Sequence, residues 1–178
     1  MGAALQRVTT AYIENEDRLR LTGKLADGDT VVLWLTQRLL SRLVPHLTAW
    51  LARQAGSFAS TVSPAMQSAH HDIVQGFAQQ SARAQLKPGS PVRAASTAAG
   101  WRVDAVDVAQ GEVGVVLTFK GEAGEQVVMT MTMQPLRQWL SIVYEQVVAA
   151  EWPTTAWPAW MEVAASSPQN QPRTAVLH

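Results

Sequence analysis

The chain has no cysteine in its 178 residues. That excludes disulfides, thiolate metal sites and cysteine nucleophiles, and it fits a reducing compartment. Charge is scarce and balanced: 14 Lys plus Arg stand against 14 Asp plus Glu, for a formal net charge of zero. A dedicated nucleic-acid binder usually carries a clear basic excess, so the balance weighs against that class. No run approaches the roughly 18 apolar residues of a membrane span. The opening MGAALQRVTT lacks the charged start and apolar core of a signal peptide. Gln6 occupies the position where N-myristoylation needs Ser or Thr. The expectation is a cytoplasmic protein with no membrane segment.

Catalytic motifs are missing too. The sequence has no GxSxG, HExxH, CxxC, EF-hand or phosphate-loop pattern. Of four histidines, His70 and His71 precede Asp72. Neighbouring helical residues point about 100° apart, so these two cannot easily share an ion. A partly buried His70 and a surface His71 are expected, with His46 also at the surface. The pairs Asp27/Asp29, Glu14/Glu16 and Asp104/Asp107 fall in turns or on exposed faces, not in a cleft that would shift a pKa. The reading is therefore non-enzymatic, with no catalytic residue, no metal site and no cofactor.

What is present is a repeat. Shifting the chain by 96 positions, with no gap, places Leu21, Thr22, Lys24 and Gly28 on Leu117, Thr118, Lys120 and Gly124. Val31, Val32, Thr36 and Leu40 fall on Val127, Val128, Thr132 and Leu136. The physical pattern repeats with them. Leu19, Leu21 and Leu25 alternate with polar residues, as do Val113, Val115, Leu117 and Phe119, and a period of two means a half-buried strand. Gly28 and Gly124 sit in hairpin turns. Strands at Thr30–Leu35 and Gln126–Met133 follow. Thr36 and Thr132 are then placed to cap helices.

The first helix carries Leu39, Leu40, Leu43, Val44, Leu47, Trp50 and Leu51 on one stripe. The second carries Leu136, Trp139, Leu140, Val143, Tyr144, Val147 and Val148. Pro45 is expected to kink or split the first near Ser41, whereas Pro135 lies in a first turn, where proline is tolerated.

An additional strand should precede each hairpin, at Arg7–Glu14 and Trp101–Gln110. The predicted fold is α+β: a tandem duplication of a βββα unit with antiparallel strands about a pseudo-two-fold. Unit one spans residues 7–53, the connection 54–100 and unit two 101–152, forming one domain. In the connection, Gly56–Thr61 reads as a loop. Ser63-Pro64 starts a helix that runs to about Gln85, with Met66, His70, Ile73, Val74 and Phe77 on its buried face. Residues 153–178 read as a Pro/Trp-rich segment, then a disordered tail.

The run TAYIENEDRLRLTGKL with WLTQRLLSRLVPHL resembles a family of small uncharacterised bacterial proteins. The shared features are an E-D-R strand entry (Glu16, Asp17, Arg18) and a W-L-T-x-R strand-to-helix junction (Trp34, Leu35, Thr36, Arg38). The FAQQSARAQ stretch near Phe77 resembles that family's middle helix. The resemblance implies the architecture and no activity.

Two binding surfaces follow from the residues. Trp152, Trp157 and Trp160 form a candidate contact for an unknown protein partner, which suits an interaction or adaptor module; docking back onto the body is the simpler reading of the same rings. Arg18, Arg20, Lys24, Trp34 and Lys120 line a sheet face that could bind single-stranded nucleic acid by stacking and phosphate contacts. A free sheet edge would also allow a homo-oligomer.

Overall fold

The computed structural model describes residues 2–54, 63–87 and 89–166. The expected loop at Gly56–Thr61 and the expected tail beyond 166 lie outside these. The protein is α+β, with seven strands and four α-helices among the described residues. The strands are β1 (Ala3–Ile13), β2 (Arg18–Leu25), β3 (Thr30–Leu35), β4 (Ala99–Arg102), β5 (Ala105–Gln110), β6 (Gly114–Lys120) and β7 (Gln126–Thr132). The helices are α1 (Gln37–Gln54), α2 (Pro64–Ala84), α3 (Met133–Ala149) and α4 (Ala159–Ser166).

All seven strands belong to one sheet, in the order β4-β3-β2-β1-β7-β6-β5. The sheet is mixed, not antiparallel as the sequence suggested: β1 runs parallel to β7, and β3 parallel to β4. It is also curled. The strands at its two ends, β4 and β5, are consecutive in the chain. Val103 N–H donates to the Trp34 carbonyl and Asp104 N–H to the Lys120 carbonyl, so the ends meet through this pair. The expected strand Trp101–Gln110 is split here because it changes partner, from β3 to β6. β1 makes the same exchange: Ala3 and Ala4 pair with β7, and Leu5 to Ile13 pair with β2. That distant partner explains why β1 starts before Arg7. Among the described residues the end strands are joined only through this link: β4 pairs in a ladder with β3 alone and β5 with β6 alone, so each keeps one edge outside the ladder.

The two halves share registers. Leu21 is opposite Leu33 and Leu117 opposite Met129, the same pairing displaced by 96 positions (Leu21 to Leu117). Ala3 is opposite Val127 and Ala99 opposite Val31, again with that displacement. The remaining hairpins differ: Thr9 is opposite Thr22, whereas Ala105 is opposite Lys120. The slip is two residues, and an even slip keeps every side chain on its face. Gly28 (φ +95°) and Gly124 (φ +88°) occupy the left-handed region in the turns.

One core results. The inward residues of β2, β3, β6 and β7 and the apolar stripes of α1 and α3 form a single buried cluster, which includes both Leu43 and Trp139. Each helix is tied by side-chain hydrogen bonds to the other half of the chain. Trp50 Nε1 on α1 donates to the Gly111 carbonyl just past β5 (3.0 Å). On α3, Trp139 Nε1 donates to Thr10 Oγ1 (3.2 Å), and the Gln146 side chain accepts from Tyr12 N–H (2.8 Å).

Several local expectations need correction. Pro45 does not split α1, which is one helix; Ser41 and Pro45 are both exposed, so water can serve the carbonyl that proline leaves without a donor. Thr36 caps α1 by accepting from Leu39 N–H (3.2 Å). Thr132 makes no such bond, because the residue three positions on is Pro135, which has no N–H to give. Val113 is 75% exposed in the β5–β6 turn, and Val148 faces solvent.

Candidate functional site

The three tryptophans after α3 are buried, at 8%, 8% and 4% exposure for Trp152, Trp157 and Trp160. Each has a partner within the chain. Asp17 is held in the left-handed region (φ 46°) after the short turn Glu14–Glu16. Its Oδ1 accepts from both Tyr12 Oη (3.0 Å) and Trp152 Nε1 (2.9 Å). Trp152 also meets the Tyr12 ring edge-on, and Trp157 meets Tyr144 likewise. Trp160 stacks against the Arg137 guanidinium at 5.6 Å. The segment docks on the body, so these rings are not displayed to a partner.

The basic sheet face is partly covered. Arg20 and Lys24 point outward from β2, and Trp34 lies beside Arg20 on β3. Residues 89–95 cross this face as a strap. Val92 N–H donates to Thr9 Oγ1 (2.8 Å), Ala95 N–H to Thr30 Oγ1 (2.9 Å), and Arg7 Nη2 to the Ser90 carbonyl (2.7 Å). Lys120 is on the other half, ion-paired with Asp107 at 2.5 Å. Arg18 borders a separate polar pocket with Trp101, Arg102 and Glu122. The structure therefore gathers Arg20, Lys24 and Trp34 and leaves Lys120 apart.

Helix α2 sits in the opposite sense from its periodicity. Buried residues are Gln75, Gln79 and Ala82. Met66, Ile73 and Phe77, expected inside, are 62%, 57% and 69% exposed. The cause lies on α3. Arg137 is only 4% exposed, and its guanidinium donates to Gln75 Oε1 (2.5 Å) and Gln79 Oε1 (3.3 Å). Gln79 Nε2 donates in turn to the Arg137 carbonyl (2.8 Å) and to Ser141 Oγ (2.7 Å). Burial pushes the Arg137 guanidinium down to about 10, which still leaves it cationic at neutral pH. A buried cation needs acceptors, and the glutamine face of α2 provides them. The apolar face then points outward by geometry. It flanks an open cleft of about 290 Å³ against α4, lined by Ile73, Gly76, Phe77 and Trp160 among others.

Sequence reasoning missed this surface, although a signal existed. Gln75, Gln79 and Ala82 make a second stripe at helical spacing, and Arg137 and Ser141 interrupt the apolar α3 four residues apart. His70 is exposed and His71 half-buried, the reverse of expectation, because the helix is turned over. Among the described residues no group of three His, Cys, Asp or Glu assembles, and no helix is long and apolar enough to cross a membrane. Compared with known proteins, the chain matches no family model, no curated protein and no solved structure.

Proposed function

We propose that this protein is a non-enzymatic protein–protein interaction module and that its contact surface is the outward face of α2. The observation that carries the reading is the exposure of Met66, Ile73 and Phe77 on one helix. Large side chains exposed together along one helix face mark a contact. The spacing supports a helical partner. Met66, His70, Ile73, Phe77 and Gln80 recur at alternating steps of four and three, the seam that a second helix reads. None of these seam positions is Asp, Glu, Lys or Arg, which favours an amphipathic partner helix with an apolar, uncharged stripe.

The test places a photo-crosslinking phenylalanine analogue at position 77 and, as a control, at the exposed Thr130 of β7. The expected product is a partner segment attached at 77 and not at 130. That partner, purified, should bind the wild-type chain, and Phe77→Glu should weaken binding more than tenfold with the helical signal unchanged, since aromatic anchors dominate such contacts. No adduct at 77, or equal binding by the variant, overturns the proposal. An adduct between two copies of this chain reassigns the face to self-association.

We further infer that the two halves descend from one copied βββα unit related by a pseudo-two-fold. Shared registers at a displacement of 96 and the common burial of Leu43 and Trp139 support this reading. The strand-entry and strand-to-helix motifs support membership of the bacterial family they resemble.

A further inference from the structure

A pocket of about 320 Å³ lies between the strap and the sheet, away from α2. Its lining includes Thr9, Arg20 and Thr22 from the sheet, with Val92 and Arg93 from the strap. Alternation along β2 puts Arg20 and Thr22 on the outer face, opposite buried Leu19 and Leu21. Three hydrogen bonds hold the strap against the sheet, and Arg93 of the strap lines the same pocket as Arg20 of β2. Among the described residues no acidic side chain lines the pocket. Arg83, Arg102 and Lys120 are all ion-paired, whereas neither Arg20 nor Arg93 has a carboxylate within ion-pair distance among the described residues. Two guanidiniums facing one concavity repel each other until an anion sits between them.

We propose that this pocket binds a small phosphate-bearing anion. The forked donors of Arg20 and Arg93 match phosphate oxygens in pairs, and the hydroxyl of Thr22, which is 4% exposed, can donate a third bond from the floor. A phosphate, with several acceptor oxygens, uses this donor set more fully than a carboxylate does. The strap roofs the site, so an extended strand of nucleic acid cannot lie along β2 through it. The volume suits a small ligand, near the lower end of such sites at roughly 300 Å³.

The probe is inorganic pyrophosphate, titrated calorimetrically into the full chain at low ionic strength, with a single-stranded oligonucleotide as the second arm. Saturable one-site binding is expected. Arg20→Gln and Arg93→Gln should each weaken it about tenfold, as fits the loss of a charge-assisted hydrogen bond, and Arg18→Gln, outside the pocket, should leave it within about twofold. Both arginines are exposed, so the variants should keep the wild-type circular dichroism; Arg93→Gln, on the strap, is decisive alone if Arg20→Gln does not fold. Absence of saturable binding, or unchanged binding in both pocket variants, overturns the proposal. So does an oligonucleotide that binds while pyrophosphate neither binds nor competes, which would return the face to a nucleic-acid surface.

Discussion

Replacing Trp139 by alanine is expected to cost about 3–5 kcal/mol, the range for losing a buried large aromatic ring. The ring is 5% exposed within the cluster that α1, α3 and the sheet share. Its loss removes contacts on all sides, and the surrounding strands cannot collapse fully into the space. The substitution also leaves Thr10 Oγ1, on a residue 8% exposed, without the indole N–H that it accepts. Domains of this size are stable by only about 5–15 kcal/mol in total, so the variant should lose a large share of its stability. Urea unfolding reads this as a lower midpoint with an unchanged slope. Trp139→Phe keeps most of the packing and should lose much less. A loss under about 1 kcal/mol for alanine would mean that the ring does not belong to the core.

Gln79→Leu should cost about 3 kcal/mol, although it places an apolar residue at a fully buried position. The reason is Arg137. Among the described residues its Nε has no hydrogen-bond partner, and its other nitrogens depend on Gln75 and Gln79. Removing Gln79 strips an acceptor from a buried cation and a donor from the Arg137 carbonyl and Ser141. The triple variant Gln75→Leu, Gln79→Leu, Arg137→Met removes the charge together with its acceptors. Exchanging a buried charged network for apolar residues of similar volume is often neutral or stabilising, so the triple variant should be more stable than Gln79→Leu alone. If the single variant is neutral, or the triple is worse, Arg137 is not the buried cation described above. The pH sign follows from the same group. Burial holds its folded pKa at about 10, below the ordinary guanidinium value, so the unfolded chain holds the proton more tightly. This group's penalty is therefore constant through neutral pH and relaxes only as pH rises above about 10.

Much of the architecture was legible because it is written in local periodicity. Alternation gave β2, β3, β6 and β7, the turn glycines gave the hairpins, and the stripes of α1 and α3 gave their buried faces. What failed depended on residues far away in the chain. The parallel pairing of β1 with β7 has no local signature. Thr132 makes no cap bond, because the proline that a first helical turn tolerates stands at the third position on and has no N–H to offer. The orientation of α2 was the largest miss. Its helical period admits two faces, and the choice between them is made by Arg137, 58 residues beyond Gln79. Among the candidate surfaces, the row of Arg20, Lys24 and Trp34 followed from alternation. Arg93 did not, since the path of the strap is set by bonds to Thr9, Thr30 and Arg7. The burial of the tryptophan segment turns on Asp17, whose left-handed backbone aims one carboxylate oxygen at two donors.

The absence of cysteine makes the orientation of α2 directly measurable. Single variants Ile73→Cys, Phe77→Cys, Gln75→Cys and Gln79→Cys each carry one thiol in an otherwise thiol-free chain, and the rate of modification by a neutral thiol reagent reports exposure under native conditions. The account predicts fast modification at 73 and 77, near the unfolded rate, and strong protection at 75 and 79. Fast modification at 75 and 79 with protection at 73 and 77 would mean that α2 packs with its apolar face inward. The proposed contact surface would then not exist.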